Sequence, residues 1–213
     1  MRAWAQLCTE ILAGRDCVQP YTDADYFAHI DGKPRYAGVA GFLASRGIEV
    51  PAGEPSDGPE AWTIAGLGNR KNEVFNQVLA RAGIAGYPGS IRLLTALQEL
   101  GLALAVVSSS RNAVAVLAAA GLSEFFGVVV DGNVAAGLGL AGKPAPDSFR
   151  YAARELGVAP ARAVVLEDAL SGVAAGRAGG FGLVVGVDRG AGAAELRAAG
   201  ADLVVADCAE LLP

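Results

Sequence analysis

Hydrophobic positions change their period part-way along the chain. In the first stretch they recur at helical spacing. Trp4, Leu7, Cys8 and Ile11 share one face of a helix predicted over 2–13. Thr22 or Asp23 can cap a short helix that runs to Phe27. Residues 29–35, with Gly32 and Pro34, read as a loop, and Tyr36, Val39, Phe42 and Leu43 mark the next helix. A surface loop is predicted over 51–59, then a helix over 62–83 that breaks near Gly66 and Gly68. Nothing up to this point reads as a strand.

From Tyr87-Pro88-Gly89 onward, helix and strand alternate. Helices are predicted at 89–100, 111–120, 147–156 and 192–199, and strands at 102–107, 127–131, 183–187 and 203–205. The apolar strand 163–166 ends in Glu167 and Asp168. A helix follows it, with Leu170, Val173, Ala174 and Arg177 at helical spacing. This alternation predicts an α/β fold: one parallel sheet with helices on both faces. Its strands are expected to be buried. A helical module, 1–84, precedes the α/β module, 85–213.

Composition narrows the function classes. The 213 residues are 53% hydrophobic, enough for a substantial core in one large or two small domains. A net charge of −5 argues against a nucleic-acid partner, which asks for a basic face. No apolar run reaches membrane-spanning length, and the N-terminus lacks a signal-peptide pattern. Cys8, Cys17 and Cys208 have neither ligand nor disulfide-framework spacing, and Cys8 falls on an apolar helix face. A reducing cytoplasm is the expected compartment.

Candidate chemistry gathers at strand ends, where open α/β sheets bind ligands. Glu167 and Asp168 offer hard oxygen donors to a divalent cation, against the plainer reading of Asp168 as a helix cap. Ser108, Ser109, Ser110, Arg111 and Asn112 follow strand 102–107. Hydroxyls, an arginine and helix N-terminal amides together suit an anion, although serines also cap helices. Lys143 stands in Gly142-Lys143-Pro144-Ala145-Pro146-Asp147, fixed between helix breakers. That placement suits a phosphate better than a solvated loop lysine would. Together these groups fit phosphoryl transfer, in which cations and donors neutralise and position phosphoryl oxygens. Gly137-Leu138-Gly139-Leu140-Ala141-Gly142 matches a dinucleotide fingerprint, but it does not join a strand to a helix and prolines follow it. The same segment misses the P-loop pattern, because Pro144 stands where Ser or Thr is needed.

VVSSS (106–110), GKPAPD (142–147) and VVLEDALSG (164–172) resemble the second, third and fourth motifs of the haloacid dehalogenase superfamily, in the same order. HIDGKPRYAGV (29–39) and NRKNEVF (69–75) are similar to the helical cap of its beta-phosphoglucomutase subgroup. The resemblance covers essentially the whole chain. It implies a Rossmann-like core with an α-helical cap, a magnesium cofactor and a small phosphorylated metabolite as partner. By position it makes Asp168 a magnesium ligand and Glu167 its carboxylate neighbour. Ser108 and Lys143 become the groups that hold the transferring phosphate. Arg35, Ser110, Arg111 and Asn112 become a second phosphate site, and Lys71 and Asn72 become cap residues near the sugar. His29 takes no role.

One motif of the family has no counterpart. The resemblance expects Asp-x-Asp-Gly on a central N-terminal strand, carrying the nucleophile and the general acid/base. Met1-Arg2-Ala3-Trp4 resembles the first cap helix just after that motif, and Asp31-Gly32 belongs to the cap loop. The expectation is a chain truncated ahead of Met1, with its central strand missing and no activity as written. The alternatives are a non-catalytic sugar-phosphate binder of the same fold and, more remotely, a nucleotide-binding α/β domain.

Overall fold

The first unit buries one stripe from each of its three longer helices against the others. The computed structural model describes residues 2–14 and 19–213, without the side chains of Ala80 and Ala82. Cys17 lies outside the described residues. The chain packs as two units, Met1–Gly83 and Ile84–Pro213. In the first, α1 (Arg2–Leu12), the short α2 (Asp23–Asp25), α3 (Arg35–Ser45) and α4 (Ile64–Ala82) surround one core. Trp4, Leu7, Cys8 and Ile11 of α1 meet Ile30, Val39, Phe42, Leu43 and Leu67 there. Burial first, then Asp25, pushes the Cys8 thiol up to about 12, so it is a packing group and not a nucleophile.

Three local expectations need correction. The chain after α2 does not become a loop at 29: Tyr26–Ile30 winds on as a wider, π-type turn. Arg35 is the first residue of α3, placed there by Pro34 immediately before it. α4 runs unbroken through Gly66 and Gly68. These glycines admit neighbours. A Cβ at Gly68 would lie 2.6 Å from the Tyr36 ring, and one at Gly66 would strike the Ala61 carbonyl.

The second unit alternates α5 (Pro88–Glu99), β1 (Ala105–Val107), α6 (Ala113–Ala119), β2 (Val128–Val130), α7 (Gly132–Gly137), α8 (Asp147–Glu155), β3 (Val164–Glu167), α9 (Leu170–Gly179), β4 (Leu183–Val187), α10 (Ala193–Ala198) and β5 (Leu203–Val205). Helix α7 went unread in the sequence. Asp131 starts it, accepting from the amides of Asn133 and Val134, both at 2.9 Å. All pairings are parallel, but they form two sheets, β1-β2 and β3-β4-β5, and not the one sheet expected. No ladder joins β1 to β3 among the described residues.

Helices cover both faces of β4, the central strand of β3-β4-β5. Val185, Val187 and Val205 pack against Leu93 and Leu97 of α5, and Val184 against Val173 of α9 and Leu196 of α10. Phe149 of α8 packs with Val165 of β3, and Val107 of β1 lies against the same cluster. The expectation of fully buried strands fails at β1, which is half-buried, and at β3. Val164 and Leu166 share one face of β3 and are 54% and 38% exposed. That face and the free edge of β3 have no covering neighbour there to exclude water.

Candidate active site

Lys143 brings two strand ends together. It sits in the connection between α7 and α8, where the Ala141 amide donates to Asp147 Oδ2 at 3.1 Å. The Lys143–Pro144 peptide is cis. Lys143 Nζ donates to the Val107 carbonyl at the end of β1, 3.3 Å away, and pairs with Glu167 Oε1 at the end of β3. Both side chains are under 10% exposed, at 7% and 9%. The Phe149 ring lies 4.8 Å from the ammonium and walls it from water. Glu167 Oε2 accepts from the amides of Asp168 and Ala169, at 3.0 and 3.1 Å, and so caps the entry to α9. Gly172 leaves the room this needs, because a Cβ there would strike the carboxylate.

Asp168 stands exposed beside this pair. A cleft of about 280 Å³ opens here, lined by Val107, Leu166, Glu167, Asp168, Val187 and Arg189 among others. Glu167 and Asp168 are its only carboxylates among the described residues. No cluster of three or more His, Cys, Asp or Glu side chains placed to hold a metal occurs among the described residues. Magnesium keeps several waters and needs only one or two carboxylates from the protein, so Asp168 and Glu167 fit it by donor type.

The serine loop carries hydrogen bonds of its own. Ser108 Oγ accepts from the Ser110 amide, and Ser110 Oγ from the Asn112 amide, both at 3.1 Å. These hydroxyls therefore shape their own turn. Asn133 Nδ2 donates to the Arg111 carbonyl at 3.0 Å, and the Gly132 amide to the Ser110 carbonyl at 3.0 Å. Asp131, 3% exposed, thus anchors the turn that holds the loop.

In the first unit, Arg35 Nη1 donates to Asn69 Oδ1 at 3.4 Å. Lys71 Nζ lies 5.2 Å from the Trp4 ring centroid and 4.8 Å from that of Phe75. Desolvation first, then the Arg35 charge, pulls Lys71 down from 10.5 to about 8. Asn72 is half-buried one residue further along α4. Arg35 and Lys71 thus form one cationic cluster, and Ser108–Asn112, Lys143, Glu167 and Asp168 belong to the other unit.

The model of the haloacid dehalogenase-like hydrolases matches residues 2–180. The chain belongs to this family. It is 54% identical over 192 residues to a beta-phosphoglucomutase of Mycobacterium bovis, an alignment that covers 89% of this chain and 73% of that one. The structure of CbbY from Rhodobacter sphaeroides with xylulose-(1,5)bisphosphate superposes with a TM-score of 0.74 at 28% identity, over 99% of this chain and 89% of that one. A beta-phosphoglucomutase structure from Clostridium difficile has a TM-score of 0.78 at 22% identity, over 99% and 84% of the two chains, and shows the shared fold. The protein is therefore a beta-phosphoglucomutase-like member of the family.

Several residues at these sites went unread in the sequence. Trp4 was read only as a helix-face residue, and Asn69 and Phe75 only as ends of the NRKNEVF stretch. Arg189, at the end of β4, stacks 3.8 Å from the Tyr87 ring centroid and lines the cleft. A cation just past a predicted strand end was the one available signal for it.

Proposed function

We propose that this chain carries the phosphate-, metal- and sugar-facing groups of a beta-phosphoglucomutase-type phosphoryl-transfer enzyme acting on a small sugar phosphate. The observation that carries the reading is Lys143 joining the ends of β1 and β3, so that residues of three separate sequence motifs touch one another. An ammonium has three donors, and Val107 and Glu167 take two. The third would serve a phosphoryl oxygen, with Ser108 beside it. Asp168 and Glu167 would hold magnesium, which when bound adds positive charge to those oxygens. In the first unit Arg35 would hold a phosphate and Lys71 and Asn72 would face the sugar; in the second unit Ser110, Arg111 and Asn112 would bind phosphate oxygens.

One observation favours a second reading, that of a sugar-phosphate binder without turnover. Among the described residues, the only carboxylates that line the cleft are the two assigned to the metal. No other is placed there to attack phosphorus. On either reading the 213-residue chain binds a sugar phosphate.

Binding tests the shared claim, and Lys71 supplies its pH signature. Calorimetric titration with glucose 1,6-bisphosphate should give an affinity that is flat below about pH 8, where Lys71 is charged, and that falls as the pH rises through that value. In Lys71→Arg the fall should vanish, since arginine stays charged throughout. The linkage sign for stability is opposite. Folding lowers the lysine's pKa from 10.5, so stability is reduced below about pH 8 and recovers as the pH rises from there towards 10.5. A pH-independent affinity would remove Lys71 from the site.

A further inference from the structure

Asn69 uses its whole hydrogen-bonding capacity at one place. Its Oδ1 accepts from Arg35 Nη1 at 3.4 Å and from the Tyr36 hydroxyl at 3.0 Å. Its Nδ2 donates to the Pro55 carbonyl at 3.1 Å and the Asp57 carbonyl at 2.8 Å. An amide side chain offers two donor hydrogens and two acceptor lone pairs, so nothing is left over. A side chain satisfied on all sides has a single orientation.

The groups on either side of it are themselves fixed. Asp57 Oδ2 accepts from Thr63 Oγ1 at 2.6 Å and from the Glu54 amide at 3.2 Å. Thr63 in turn caps α4 through the Gly66 amide at 2.9 Å. Arg70 Nε donates to the Pro59 carbonyl at 2.6 Å. The 51–59 loop is thus tied to the first turns of α4 at several points. On the other side, Gly68 lets α3 come close, because a Cβ there would crowd the Tyr36 ring at 2.6 Å and Arg35 Cδ at 3.2 Å.

We propose that Asn69 is a positioning residue that aims the Arg35 guanidinium at a substrate phosphate and ties that aim to the 51–59 loop. A guanidinium is a rigid planar fork, so a bond at Nη1 constrains where its other N–H groups point. The proposal rests on the reading of Arg35 as a phosphate-holding residue. Asn69 acts through Arg35 and does not touch the substrate itself.

A double-mutant cycle separates the two claims. Glucose 1,6-bisphosphate and, separately, inorganic phosphate are titrated calorimetrically into the 213-residue chain and into Arg35→Ala, Asn69→Ala and the double variant. Each protein's melting temperature is measured alongside. Asn69→Ala should weaken the bisphosphate about tenfold when Arg35 is present and add no further loss when it is absent. Inorganic phosphate should bind all four proteins alike. Equal losses from Asn69→Ala in both backgrounds would make its role merely structural and overturn the proposal, as would no loss in either. If Arg35→Ala spares bisphosphate binding, the phosphate-holding reading fails and takes this proposal with it. Should Asn69→Ala not fold, the nearly isosteric Asn69→Leu enters the same cycle with the same expectations.

Discussion

Lys143→Met is expected to lower the unfolding free energy by about 3–5 kcal/mol. The reason is desolvation on both sides of one contact. Lys143 and Glu167 are paired with 7% and 9% of their side chains exposed. Methionine fills the space but leaves the Glu167 carboxylate out of water with only the Asp168 and Ala169 amides as donors. The Val107 carbonyl loses its lysine donor too. Removing one partner of a buried pair costs far more than removing both. Lys143→Met with Glu167→Gln should therefore recover at least half of the loss, since a neutral amide costs less to bury. Urea unfolding of the two variants and the parent decides the matter. A single-variant loss below about 1 kcal/mol would mean that the pair behaves as an exposed one.

Supplying a strand between β1 and β3 is expected to stabilise the second unit by about 3 kcal/mol or more. Each of these strands pairs on one edge only, and Val164 and Leu166 are left 54% and 38% exposed beside the cleft. Neighbouring strands stand about 4.8 Å apart, so one added strand could pair with both only if their separation is roughly 10 Å. An apolar strand carrying Asp-x-Asp-Gly, fused ahead of Met1, should raise the urea midpoint. It should also slow amide hydrogen exchange in β1 and β3 while leaving β5 unchanged. An unchanged midpoint with unchanged exchange would mean that the two edges do not border a strand-shaped slot.

How much of this was legible depends on whether the signal was local. The helices of the first unit follow from apolar positions three and four apart, and Trp4, Leu7, Cys8 and Ile11 all turned inward as their spacing required. The strands of the second unit announce themselves as short apolar runs bounded by breakers, and β4 and β5 fall on their expected residues. Lys143, Glu167 and Asp168 could be picked out because strand ends and prolines fix positions in sequence terms. Glycine was misread at Gly66 and Gly68, where it serves close packing inside an intact helix. Propensity alone cannot tell a break from a contact with a residue some thirty positions away. Asn69 and Asp131 were missed for a related reason. Each acts on a partner brought to it by tertiary packing, and nothing in the neighbouring residues names that partner. The bonds that Ser108 and Ser110 accept within their own turn depend on backbone geometry that the sequence does not display.

The most direct test of the central claim is phosphorus NMR of beta-glucose 1-phosphate with magnesium, run on the 213-residue chain and on the form fused to an Asp-x-Asp-Gly strand. The chain alone is predicted to give no turnover, because the carboxylates in its cleft, Glu167 and Asp168, are those assigned to the metal. The fused form is predicted to convert the substrate at about 1 per second or faster, and Asp168→Asn within it to lose at least about a hundredfold. Turnover near 1 per second by the unfused chain, or an undiminished rate in the fused Asp168→Asn variant, would contradict the account.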